Sequence, residues 1–194
     1  MTQMSKDSVQ KLLDDIGLPK DFLDCLLHGS DWSMIIKLHA LFEAVLAGLV
    51  VKRLQNPAIQ EAVVHLEFNH AKSGKVAFAR ALKLIGAEEA AFLRGLSELR
   101  NNLVHDVRNI KFEFRSYISG LDANQRKKFK NEFGKSICAL ENGKDTYNKL
   151  LKTQPAHIIL LAAYSCLITL ELNLRNSKRD LVVQALLAQL AKNG

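Results

Sequence analysis

The stretch Leu99-Arg100-Asn101-Asn102-Leu103-Val104-His105-Asp106 brings together three side chains able to do chemistry. An imidazole ordinarily titrates near neutrality and can accept or return a proton during a reaction. A guanidinium keeps its charge and offers a planar fork of donors to an oxyanion. The amide of Asn101 can orient the imidazole or donate to the same anion. On a helix at about 100° per residue, Asn101 and His105 lie four apart on nearly the same line and can touch. Arg100 lies roughly 140° round the helix from His105, and the arc between them carries Leu93, Ser97, Asn101 and Val104. Such a mixture of apolar, small and charged residues predicts a face against which a second helix packs. A symmetric partner would bring two Arg/His pairs to one groove. The same residues also suit plain structure, with His105 against the negative helix end, Asn101 bonded to it, and Arg100 in a surface ion pair.

The elements that must hold this motif read as helix after helix. Apolar spacing predicts a helix over Asp7 to Ile16, a break at Gly17 and Pro19, and a short helix over Asp21 to Leu27. Asp31 is the expected cap of a long amphipathic helix to about Gln55, carrying Ile35, Leu38, Leu41 or Phe42, Val45, Leu46 and Leu49. Asn56-Pro57 stops it, and residues 57–73 accommodate a short helix and a loop around 69–74. A helix over Lys75 to Ile85 is expected to end at a left-handed Gly86. The motif helix then begins near Glu88 and Glu89, whose charge suits its positive end, and carries Phe92, Leu96, Leu99, Leu103 and Val107.

Beyond it a mobile loop is expected over 119–124, then helix through Phe129, Phe133 and Ile137. A helix from Pro155 reaches Leu174, and a capping box of Ser177 and Asp180 opens a last one over Arg179 to Ala191. No stretch alternates with period two for long enough to make a strand. The fold class is all-α, read as one domain with a core over about 31–107 extended by C-terminal helices over about 125–191.

Composition narrows the rest. The chain has 194 residues, 48% of them apolar, with 10 Gly and 3 Pro, which suits one globular domain and excludes collagen-like or linker composition. Cys25, Cys138 and Cys166 are scattered without metal or disulfide spacing and read as small core residues in a reducing compartment. The N-terminus lacks the apolar run of a signal peptide, and the greasiest stretch, Ile158 to Leu170, is too short to span a bilayer, so a cytoplasmic protein off the membrane is expected.

The net charge is +7, and residues 108–152 hold 11 basic and 5 acidic residues, a local excess of +6. Arg108, Lys111, Arg126, Lys127, Lys128 and Lys130 are the candidate contacts to a polyanion, RNA above all. A solvated helix face is the alternative. His65 and His70 lack a second ligand pair, so no metal site is expected, and no phosphate-loop, dinucleotide or serine-hydrolase motif occurs.

The motif and its setting resemble the HEPN domains (higher eukaryotes and prokaryotes nucleotide-binding). Their signature is an Arg, usually followed by a polar residue such as Asn, and a His four to six positions after the Arg. Arg100, Asn101 and His105 match it, at the end of an apolar helix and after a long antiparallel one. The resemblance covers roughly residues 32–107. It implies a homodimeric endoribonuclease that needs no metal or other cofactor, such as a toxin or defence factor held in check by an antitoxin or other regulatory protein. Within it, His105 moves the proton of a ribose 2′-hydroxyl or of the leaving oxygen, Arg100 holds the non-bridging phosphate oxygens, and Asn101 fixes orientation. Glu43, on the preceding helix, is the carboxylate that position offers to Arg100 or His105. The run Ser73-Gly74-Lys75-Val76-Ala77-Phe78-Ala79-Arg80-Ala81-Leu82 before the motif helix is also similar to the mannitol operon repressor family. That likeness implies an all-helical regulator acting by protein or nucleic-acid binding, with no active site.

Overall fold

The computed structural model describes residues 10, 11, 13, 14, 17, 19 and 21–190, apart from the side chains at 23, 24, 27, 177, 178 and 180–190. The helix expected over Asp7 to Ile16 lies mostly outside the described residues, as does Ala191, the expected end of the last helix. The chain is all-α, with no strand among the described residues. Helix α1 (Phe22–Leu27) precedes the long α2 (Asp31–Leu54). A 3₁₀ turn (Pro57–Ile59) leads into α3 (Gln60–His65), then α4 (Lys75–Ala81) and the motif helix α5 (Ala87–Val104). A second 3₁₀ turn (Val107–Lys111) connects to α6 (Phe114–Gly120) and α7 (Ala123–Phe129). A π-helical segment (Lys130–Gly134) joins α7 to α8 (Lys135–Cys138), and α9 (Gly143–Thr153) and α10 (Pro155–Leu190) complete the order.

Helix α2 is the spine. Its apolar residues at spacings of three and four bury Ile35, Leu38, Phe42, Val45, Leu46 and Leu49 against α3, α4, α5 and α10. Ser30, one residue earlier than expected, is the cap: its hydroxyl accepts from the Ser33 N–H at 3.2 Å. Asp31 instead accepts from the Phe114 N–H at 2.7 Å, tying the chain after α5 to the start of α2. An aromatic series crosses the core from Phe42 through Phe92 and Phe133 to Phe129, with ring centroids 5.3, 5.9 and 5.0 Å apart. Each pair adds about 0.5–1.5 kcal/mol beyond area burial. The buried side chains from Leu13 to Leu174 form one cluster that includes both the 31–107 portion and the later helices.

Several local expectations are corrected. Helix α4 stops at Ala81, and the left-handed residue is Lys83 (φ 58), whereas Gly86 is extended and opens α5. The loop expected over 119–124 contracts to Leu121 and Asp122, because Asp122 and Gln125 cap α7 reciprocally at 2.8 and 2.9 Å. The backbone of α10 runs unbroken through Ser177 and Asp180, so no second helix begins there. Of the three thiols only Cys166 is buried, where burial, with help from Glu89, pushes its pKa up, while Cys25 is exposed.

Gly143 is a fixed point of the later helices. A Cβ there would collide with the Ile137 carbonyl oxygen, and that backbone cannot swing aside as a side chain can. Gly143→Ala is expected to destabilise the protein by about 1–3 kcal/mol, read as a lowered denaturant midpoint at unchanged slope.

Two helices, Asp31–Leu54 and Pro155–Asn176, are long and apolar enough to cross a membrane, with mean hydropathy 2.0 and 1.6. The stretch Ile158 to Leu170, too short by itself, thus lies inside a longer apolar helix. Burial of 61% and 50% of those windows inside the fold is what core helices of a globular protein show.

Candidate active site

The end of α5 is anchored on both sides. The Trp32 indole N–H donates to the Leu103 carbonyl at 3.5 Å, and the Asn109 amide donates to the Asn102 carbonyl at 2.9 Å. Two carbonyls left without helical partners at the C-terminus are thereby satisfied. His105 is the C-cap, its N–H bonded to the Asn101 carbonyl at 3.3 Å. Its imidazole is exposed and has no partner among the described residues. Asp106 then caps the 3₁₀ turn and turns the chain away.

Asn101 does not bond to His105. Its Oδ1 accepts from Arg100 Nη1 at 3.1 Å, because adjacent side chains at the exposed edge of α5 close before the imidazole reaches back. The Arg100 guanidinium is half-buried and faces the α2 side, close enough to His39 to disfavour that ring's protonated form. Arg100 thus acts on His39, while the His105 imidazole is exposed. Of the arc between Arg100 and His105, Leu93 and Ser97 are buried in the chain's own packing, and only Asn101 and Val104 are exposed. Around that exposed end, Val107 is 83% and Ile110 57% exposed.

Glu43 does not serve Arg100 or His105. Its Oε1 accepts from Lys75 Nζ at 2.9 Å, and its Oε2 lies 3.9 Å from His39 Nδ1. Lys75, the first residue of α4, is only 1% exposed, and the same ammonium also donates to the carbonyls of Val64 (2.8 Å) and Leu66 (2.7 Å). Position on α2 suggested Glu43 as a carboxylate near the motif; the competing partner came from a lysine 32 residues on.

His39 is packed within α2, with its ring 4.4 Å from that of Phe68. Burial, reinforced by Arg100, lowers its pKa below the ordinary histidine value. The unfolded chain therefore binds a proton that the folded chain resists. Stability from this site is present above the unfolded imidazole's pKa of about 6.5 and declines as the pH falls through the folded value. His39→Phe is expected to flatten the acid limb of the pH–stability curve below about pH 6.5, measured by urea titration at a series of pH values.

The basic segment is less available than its charge count predicted. Arg108 is claimed by Asp106, with Nη2 to Oδ2 at 2.6 Å, which holds that carboxyl below the usual carboxylate range. Arg126 donates to the carbonyls of Leu121 and Ser119, at 3.0 and 3.4 Å. Lys128 is 2.6 Å from Glu98 on α5 and 3.7 Å from Glu132, and Lys130 sits 5.4 Å from the Tyr147 ring centroid. Lys111 and Lys127 are exposed and without a partner among the described residues. Half of the cluster, Arg126, Lys128 and Lys130, thus ties one segment to another, a role that a run of like charges does not reveal.

Comparison with family models, curated proteins and solved structures returned no match.

Among the described residues, no group of three or more His, Cys, Asp or Glu side chains is arranged to hold a metal ion. His70, one of the two histidines weighed as a ligand, instead takes Ser73 as partner, with the hydroxyl oxygen 2.7 Å from Nδ1. His65 is exposed at the end of α3. Sequence reading passed over Arg80 and Arg94, which lie 14 positions apart on different helices yet line one cleft.

Proposed function

We propose that the protein is a metal-independent endoribonuclease that acts as a homodimer, with Arg100, Asn101 and His105 as its working residues. The observation that carries this is His105, an exposed imidazole at the anchored end of α5, one turn after a hydrogen-bonded Arg100–Asn101 pair. An imidazole held by its backbone with both ring nitrogens uncommitted can exchange protons with a substrate. It would take the 2′-hydroxyl proton, the 2′-oxygen would attack the neighbouring phosphorus as the bond to the 5′-oxygen breaks, and the imidazolium would return its proton to that oxygen, giving a 2′,3′-cyclic phosphate and a 5′-hydroxyl. The Arg100 fork would hold the non-bridging oxygens as charge builds.

The dimer is supported by the exposed apolar side chains of Val104, Val107 and Ile110 around the motif, a surface that a second copy would cover. The likeness of the motif to HEPN domains supports the same assignment, together with a cytoplasmic setting, a toxin or defence role and an antitoxin-like or other regulatory partner. Purified protein incubated with RNA in EDTA is expected to yield 2′,3′-cyclic or 3′-phosphate ends. Cleavage that requires an added divalent ion would overturn the mechanism.

A second reading has its own observation. Among the candidate contacts, Arg108 and Lys128 are already paired with Asp106 and Glu98, which leaves less of the 108–152 charge for RNA. That favours a non-catalytic regulator similar to the mannitol operon repressor family, for which no RNA is cleaved and a specific macromolecule co-purifies.

A further inference from the structure

A cleft of 440 Å³ opens between α4, the turn over 69–74 and α5. Its polar lining is Asn69, His70, Arg80 and Arg94, set among small apolar residues such as Ala77 and Ala81. Arg80 and Arg94 are exposed, and neither has a hydrogen bond or ion pair among the described residues. Arg94 acts on Glu132 only through space, and no carboxylate lines the cleft. The ring of His70 is set as a donor too. Its Nδ1 accepts from the Ser73 N–H at 3.2 Å, so in the neutral ring the proton resides on Nε2. Two guanidinium groups that bond no carboxylate, with an imidazole N–H and an amide beside them, make a concave surface rich in donors and lined by no anion.

Arg94 is placed to serve a strand that reaches the motif. Arg94, Asn101 and His105 are seven and eleven residues apart on the exposed side of α5, about 10 and 16 Å along its axis. At about 3.4 Å per phosphate in a stacked strand, that spans roughly three to five nucleotides. The carboxylate of Glu98 lies on the same side, but Lys128 stands 2.6 Å from it and offsets its charge. We infer that the Arg80–Arg94 cleft holds a backbone phosphate of the bound nucleic-acid strand, a few nucleotides from the phosphate at Arg100 and His105. This rests on the RNA-cleaving function proposed above, and it adds a positioning site supplied by α4 and the turn before it.

Binding of a short, uncleavable 2′-O-methyl RNA oligonucleotide, followed by fluorescence anisotropy over a range of salt, tests it. Arg80→Gln with Arg94→Gln is expected to weaken binding roughly tenfold or more and to flatten the salt slope by about 0.7 per lost phosphate contact. Lys144→Gln with Lys149→Gln, which removes the same charge from α9, is expected to change neither by a comparable amount. Arg80→Lys with Arg94→Lys, which keeps charge and fold while losing the fork, is expected to fall between. Unchanged affinity and slope in the cleft variants would overturn the inference, as would equal losses in the α9 control or a wild-type protein that does not bind the oligonucleotide. Inorganic phosphate that binds in an arginine-dependent way, with no oligonucleotide binding, would reassign the cleft to a free anion and overturn it too. Arginine-dependent strand binding without cleavage under any condition removes the nuclease and leaves the cleft standing. Cleavage that depends on His105 while strand binding ignores Arg80 and Arg94 does the reverse.

Discussion

His105→Ala is expected to lower metal-free RNA cleavage by roughly 10²–10⁴-fold, the range for losing a positioned proton-transfer group. Folding should hardly notice. The imidazole is exposed and without a partner among the described residues, and substitutions of that kind usually fall within about 0.5 kcal/mol. A thermal melt that is unchanged beside a lost activity therefore separates chemistry from stability. A variant that keeps wild-type cleavage would remove His105 from the reaction and with it the nuclease assignment.

Arg100 gives the companion measurement. Arg100→Ala should cost roughly 2.7–4 kcal/mol of transition-state stabilisation, while Arg100→Lys, keeping charge but not the fork, recovers only part. Two groups acting on one step are not multiplicative, so the double variant should be little slower than His105→Ala alone. In a homodimer, a composite site would join one copy's arginine to the other's histidine. Mixing the two single variants is then expected to restore measurable cleavage, and independent sites would restore none.

The parts of the fold written in periodicity were legible. The stripe of α2 and the motif face of α5, with Leu96, Leu99 and Leu103 buried, follow from spacing that repeats over many turns. Single-residue signals failed where tertiary structure outvoted them. Gly86 resembles a left-handed stop, but Lys83 took that conformation and left the glycine to open the next helix. Ser177 and Asp180 have capping-box spacing, but a helix continuing through them leaves no terminus to cap. The π-helical segment had no sequence signature. For the site, the motif's helix followed from the sequence, whereas the exposure of His105, the Arg100–Asn101 pairing and the capture of Glu43 by Lys75 depended on three-dimensional neighbours. Charge behaved the same way. A run such as Arg126 to Lys130 is conspicuous on paper and mostly tied down in space, while Arg80 and Arg94 are inconspicuous on paper and share a cleft.

Lys75→Met is expected to be among the most damaging single changes to the fold, at about 3 kcal/mol. The ammonium is 99% buried and fully committed, with one hydrogen bond to Glu43 and two to the carbonyls of Val64 and Leu66. Methionine keeps the length and the apolar stem but orphans both carbonyls, each costing about 1–3 kcal/mol where water cannot replace the donor. Glu43, with 44% of its side chain exposed, can turn to solvent and loses less. Glu43→Gln tests the other half. It leaves a buried charge with neutral acceptors only, a change that costs about 3–5 kcal/mol when the pair is wholly buried. Half-exposure of the carboxylate places the expected loss well below that. The order, Lys75→Met worse than Glu43→Gln, read from denaturant midpoints at constant slope, therefore reports whether the clamp is chiefly a charge pair or chiefly a donor to backbone. A reversed order would show that the carboxylate, rather than the two carbonyls, is what the buried lysine stabilises.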